Sequence, residues 1–294
     1  MRSIKFACAA AGIALCSVTT LHAKTLEDVL MAHHVPVSSL SRDVLQQPIT
    51  SFAVSADNSP FLIAYYDDDG SGTLPPSLHV LRYNGGNGDL RSADLHGTDM
   101  ELPGNGLGEI MQRVSSTCMG SVMSISESDG IVAINTHINP SAGCVLVLTS
   151  NLQFSAGLWG WAIGRVDGQL IFVESMVYFI PTHSERMDIY DPTRKQLIHL
   201  YPSGNDAARR TFSAELRKYL PSAQWCQQTD NSCDPENFST TIDHVIVDEP
   251  QKSFAFDVTM YPEGFGAEAE QAVSPKTVHY LGRLRDGRWH IAPG

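Results

Sequence analysis

The chain contains no run of lysine or arginine, and its 20 Lys+Arg are outnumbered by 32 Asp+Glu, for a formal net charge of −12. Nucleic acid is bound by clustered positive charge that displaces phosphate counterions, so that class of partner is excluded. The same shortage argues against an anionic membrane surface. Beyond the N-terminus no apolar run reaches the roughly 20 residues that span a bilayer. A Gly-x-Ser-x-Gly elbow, a histidine pair at helical i, i+4 spacing, and Cys-x-x-Cys or Cys-x-x-His are all missing, which removes the motif-bearing serine hydrolases and zinc sites. What is present is 294 residues, 43% hydrophobic and 8% aromatic, long enough to bury a sizeable core.

The first residues, Met1-Arg2-Ser3-Ile4-Lys5, are basic; Phe6 to Val18 is apolar; and Thr19-Thr20-Leu21-His22-Ala23 ends on a small residue. That order reads as a signal peptide over residues 1–23, cleaved near Ala23, and places the protein in the periplasm or outside the cell. Leu15 before Cys16 is too large for a lipoprotein signal. Cleavage leaves Cys118, Cys144, Cys226 and Cys233, which in an oxidising compartment read as two disulfides. The expected pairing is Cys226–Cys233, closing the polar turn Gln227 to Ser232, with Cys118–Cys144 inside one sheet unit.

Residues 24–47 read as a short helical segment, opened by a capping box of Thr25 and Asp28 and stopped at Val35-Pro36. Residues 48–294 read as a single β-rich domain. Two patterns recur in it. Asp57-Asn58, Asp129-Gly130, Asp167-Gly168 and Asp248-Glu249 each precede a strand. Later in each unit a strand–turn–strand pair follows, at Leu78–Leu90, Cys144–Phe154, Met187–Leu200 and Val278–Ile291. The separations fall near multiples of about 40 residues, the length of a propeller blade. Residues 205–238 interrupt the pattern with a helix capped at Asn205-Asp206 and the short cysteine loop. The fold class is therefore all-β, a propeller-like repeat of about four blade-like units, with a β-sandwich as the alternative.

The sharpest local signal is Asp67-Asp68-Asp69-Gly70-Ser71-Gly72-Thr73. Asp67, Asp69 and Ser71 alternate and Thr73 offers a carbonyl, which resembles the opening of an EF-hand-type calcium loop. The resemblance implies a structural Ca²⁺ and no other cofactor. It departs at Leu78, where the bidentate Glu belongs, and at Pro75-Pro76, which forbids the following helix. The competing reading is a solvated acidic turn. Glu174, Asp188, Asp191 and Asp257 lie in or beside strands and are the carboxylates a glycosidase would draw on. Trp159, Trp161 and Trp225 read as core or as sugar-stacking aromatics. Histidines such as His137, His183, His199, His244 and His279 stand singly in strands.

With no catalytic motif, the sequence reads as an exported binding or interaction module for an extracytoplasmic protein or glycan, and not as an enzyme. The alternative is an extracytoplasmic hydrolase of glycans or peptides that uses carboxylates the sequence does not single out.

Overall fold

The computed structural model describes residues 24–294 except 57–58, 75, 98–117, 139–141, 176–183, 203–205, 220–234, 237, 264 and 266. The signal peptide and the Cys226–Cys233 loop therefore lie outside the described residues.

The strands form four separate four-stranded antiparallel sheets, each a meander of consecutive strands. Sheet 1 is β1 (Ile49–Val54), β2 (Phe61–Asp67), β3 (Ser77–Asn84) and β4 (Asp89–His96). Sheet 2 is β5 (Ser121–Ser128), β6 (Ile131–Ile138), β7 (Ala142–Thr149) and β8 (Phe154–Trp159). Sheet 3 is β9 (Trp161–Val166), β10 (Gln169–Ser175), β11 (Ser184–Asp191) and β12 (Gln196–Tyr201). Sheet 4 is β13 (Ser239–Asp248), β14 (Ser253–Tyr261), β15 (Lys276–Arg285) and β16 (Arg288–Pro293). Four sheets replace the two that a sandwich would need. The tight turns come from residues that tolerate positive φ. Asp129-Gly130, Asp167-Gly168 and Asp286-Gly287 have φ of 51 and 74°, 54 and 72°, and 51 and 71°, as two-residue hairpin turns matched to strand twist require.

The sheets stack in chain order through apolar faces. Leu62, Ala64 and Val80 of sheet 1 pack on Val122, Ile134 and Leu146 of sheet 2. Ala133, Val145 and Val147 meet Leu170, Phe172 and Tyr190 of sheet 3. Ile171, Met187 and Ile189 meet Phe254, Phe256 and Val258 of sheet 4. Polar links cross the same joints. The Asn135 side chain stands in for a strand backbone, accepting from Ala162 N–H at 2.8 Å and donating to Ala162 C=O at 3.1 Å. Cys118 and Cys144 form a disulfide with Cα atoms 5.4 Å apart.

The two outward faces of the stack differ. On sheet 1, Phe61, Ile63 and Tyr65 are covered by α1 (Leu26–Ala32) and α2 (Arg42–Gln46). The capping box opens α1 as expected: Thr25 N–H donates to Asp28 Oδ2 at 3.0 Å, and Asp28 N–H donates to Thr25 Oγ1 at 3.2 Å. At the other end, α3 (Ala207–Arg217) and α4 (Ala267–Ala272) bury Phe212, Leu216 and Ala269 in the sheet 3–sheet 4 core. That leaves the outward face of sheet 4 to its own polar side chains.

Candidate functional site

The structure gathers aspartate and histidine at three places that the sequence left scattered. On sheet 1, His79 lies between two carboxylates, with Nε2 3.3 Å from Asp67 and Nδ1 2.7 Å from Asp94. On sheet 3, the wholly buried Asp188 carboxylate meets His199 Nδ1 at 2.8 Å. Its other oxygen lies 3.0 Å from Arg186 Nε, an ion pair without hydrogen-bond alignment. Arg186 Nη2 also reaches His199 Nε2 at 2.9 Å. Both ring nitrogens are therefore engaged at each of these two places.

The third cluster is different. On the outward face of sheet 4, one Asp257 carboxylate serves two imidazoles: His279 Nδ1 at 2.8 Å and His244 Nδ1 at 3.0 Å. The hydrogen bond from His279 above all, joined by that from His244, holds the Asp257 carboxyl below its ordinary range against the opposing effect of burial. An ionised carboxylate only accepts, so each Nδ1 carries a proton and each Nε2 carries a lone pair when its ring is neutral. Both rings are exposed, at 52% for His279 and 81% for His244.

The local sequence explains the geometry. Asp257 and His279 are directly opposite in the β14–β15 ladder. His244 arrives by a β-bulge: the β13–β14 register breaks between Asp243 and Ile246, and His244 takes φ 51°. A non-glycine residue in that region is uncommon and costs about 1–2 kcal/mol, and bulges are a known means of re-aiming a side chain beside a site. The same ladder sets Asp243 opposite Asp257. Asp243 accepts from Thr241 Oγ1 at 3.1 Å. The centre thus combines an anion held ionised, two oriented imidazoles and a second carboxylate on an open face.

The calcium-loop candidates lie at the end of β2 and in the turn that follows it. Asp67 ends β2 with its carboxylate on His79, Asp69 accepts from Ser71 N–H at 2.8 Å, and Ser71 Oγ accepts from Thr73 N–H at 3.1 Å. The Ser71 and Thr73 hydroxyls lie 2.8 Å apart. Among the described residues, no three His, Cys, Asp or Glu side chains are grouped to share a metal ion. Asp191 caps the β11–β12 turn, accepting from Thr193 and Arg194 N–H at 2.9 and 3.0 Å. Trp159 and Trp161 pack against the cores, while Trp225 and the side chain of Glu174 lie outside the described residues. Among the described residues, no helix is long and apolar enough to cross a membrane.

The fold and this centre define an all-β protein of four antiparallel sheets with a polar, acid–base-bearing outer face. No family model and no curated protein matches the chain. Its similarity is to solved glycoside hydrolases. A GH43 β-1,3-galactosidase with galactodeoxynojirimycin shares 12% identity over 87% of this chain and 79% of that one, TM-score 0.29. A GH43_1 enzyme from Xanthomonas citri shares 9% over 83% and 80%, TM-score 0.29. The GH32 β-fructofuranosidase of Bombyx mori shares 12% over 84% of this chain and 51% of that one, TM-score 0.26, so the chain spans about half its length. The expectation of a non-enzyme stands against these similarities, since the structures named are those of enzymes. At these scores the likeness carries no argument about fold, substrate or residue.

Proposed function

We propose that the protein is an exported hydrolase of extracytoplasmic glycans, working at the outward face of sheet 4. The observation that carries the reading is the pair of imidazoles fixed by one ionised carboxylate, each with Nε2 turned free. One neutral ring takes a proton from the attacking water, and the other, protonated, delivers one to the leaving oxygen. Asp257 fixes both tautomers and stabilises whichever ring is cationic. Asp243, opposite, supplies a second negative charge against the cation that develops at the sugar ring.

The test is release of reducing ends from a panel of neutral and acidic polysaccharides by the chain lacking residues 1–23. His279→Ala and Asp257→Asn should each lower the rate by about 100-fold or more, the usual worth of a positioned acid or base. Both sites are on the surface, so the circular dichroism spectrum should not change. The pH–rate profile of the parent should be bell-shaped, and His279→Ala should lose one limb. Absence of release from every polysaccharide, or variants as fast as the parent, would remove this function.

A further inference from the structure

Four residues along β15 from His279, on the same outward face, the surface turns cationic. Arg283 and Arg285 are exposed on β15, and across the ladder His290 is opposite Arg283 while Arg288 is opposite Arg285. None of these four side chains has a carboxylate partner among the described residues. Like charges directly opposite on a sheet are destabilising, and here they stand in a chain of net charge −12. The nearby acids do not relieve them: Asp257 is engaged by its two histidines, and Asp286 sits in the turn beyond.

Between the arginines and the strand end lies a shallow concavity of about 190 Å³, with Leu281, Ala292 and Pro293 alongside Arg283, Arg285 and His290. An apolar patch flanked by planar, donor-rich guanidinium groups suits a sugar ring carrying an anionic substituent. At about 3.4 Å per residue, Arg283 lies roughly 14 Å along the strand from His279. That is the reach of a short oligosaccharide and not of a single sugar.

We propose that this patch is a subsite for an acidic saccharide, which defines the substrate as a carboxylate- or sulfate-bearing glycan. The anion-binding assignment stands on the face itself. Naming that anion as part of the substrate rests on the hydrolase reading, so the test reads binding and turnover separately.

Affinity electrophoresis at low salt would compare mobility in gels containing polygalacturonate, dextran sulfate or neutral dextran, with anionic phosphatidylglycerol vesicles tested in parallel by flotation. The expected result is retardation by polygalacturonate or dextran sulfate, whichever carries the fitting anion, and none by neutral dextran. Arg283→Ser/Arg285→Ser should weaken it at least 10-fold, and His279→Ala should leave it intact while slowing hydrolysis about 100-fold or more. Since the protein is acidic overall, polyanion retention reports a local site and not bulk charge. Equal mobility in all three gels overturns the proposal, as does retention unchanged in the double variant. Flotation with vesicles, in place of retention by either polyanion, also overturns it. Retention lost in the arginine variant but with no hydrolysis by the parent would keep the subsite and refute only the hydrolase.

Discussion

Glu127 is the most consequential charge at the joint between sheets 1 and 2, and replacing it by glutamine tests the packing account of the stack. Its carboxylate takes Arg82 bidentately, Nε to Oε2 at 2.6 Å and Nη2 to Oε1 at 3.0 Å, with the two side chains 12% and 8% exposed. Hydrogen bonding to Glu127 raises the Arg82 pKa above the ordinary guanidinium value against the effect of burial. A second arginine, Arg165, lies within the field of the same anion. Burial lowers the pKa of Arg165, its Nε has no partner, and Nη2 reaches only Ser126 C=O at 3.3 Å. The fields of Asp129, Glu127 and Glu249 oppose that burial.

Glu127→Gln keeps the shape and removes the charge, leaving the largely buried Arg82 guanidinium without its paired carboxylate. Breaking a buried pair costs about 3–5 kcal/mol. At about 2–4 °C per kcal/mol for a domain near this size, Tm should fall by roughly 6–20 °C. Urea unfolding of Glu127→Gln, Arg82→Met and the double variant closes a double-mutant cycle. The double variant should recover much of the loss, because Arg82 then no longer lacks its partner. A cost below about 1 kcal/mol for Glu127→Gln, the range of an exposed ion pair, would refute the claim that this pair is buried and structural.

Other outcomes follow from single contacts. Asn135→Ala, which removes both bonds to Ala162, should cost about 1–3 kcal/mol in urea unfolding, because a half-buried N–H and C=O lose their partners. Gly282→Ala should be destabilising by about 1–3 kcal/mol, since a Cβ there would lie 2.2 Å from the Phe254 ring. Asp257 has a folded pKa below its unfolded value, so its contribution is present above roughly pH 4 and is lost as pH falls through the folded pKa. The stability difference between the parent and Asp257→Asn should stay under about 1 kcal/mol and should vanish in acid. At the Asp67–Thr73 loop, whose acceptors are turned on His79 and on the loop's own amides, millimolar Ca²⁺ against EDTA should move Tm by less than about 1 °C; a saturated site would move it several degrees.

Much of the architecture was legible because turn chemistry is local. Each of the four Asp-led turns joins the first and second strands of a sheet, and each strand–turn–strand pair is the third and fourth. The unequal spacing of the turns reflects the unequal lengths of chain between the sheets, long at 97–120 and 202–238 and one residue between β8 and β9. The centre was not legible, for a different reason. Asp257 and His279 meet only because Met260 pairs with Lys276 across a connection of unrelated sequence, and that register is set by burial of Phe254, Phe256 and Val258 on the opposite face. His244 meets them only through a bulge, at a point where the sequence Asp243-His244-Val245-Ile246-Val247 carries no glycine or proline to mark it.

The contrast between the two ends of the stack explains why the centre lies on a sheet face and not in the long connections. In β2, Phe61 to Tyr66 is buried on both faces, so sheet 1 needs a cover, and α1 and α2 supply it through Leu26, Val29 and Leu30. In β14 buried and partly exposed residues strictly alternate, and β15 continues the pattern with His279 and Arg283 outward. Such a face needs no cover, because its polar groups are satisfied by one another and by solvent. A flat antiparallel sheet then holds each side chain at a fixed register position. That is the rigidity an acid–base pair needs, and a loop of comparable polarity would not provide it. The arginines of β15 share this frame, so the distance from the imidazoles to the anionic subsite is fixed by the strand itself.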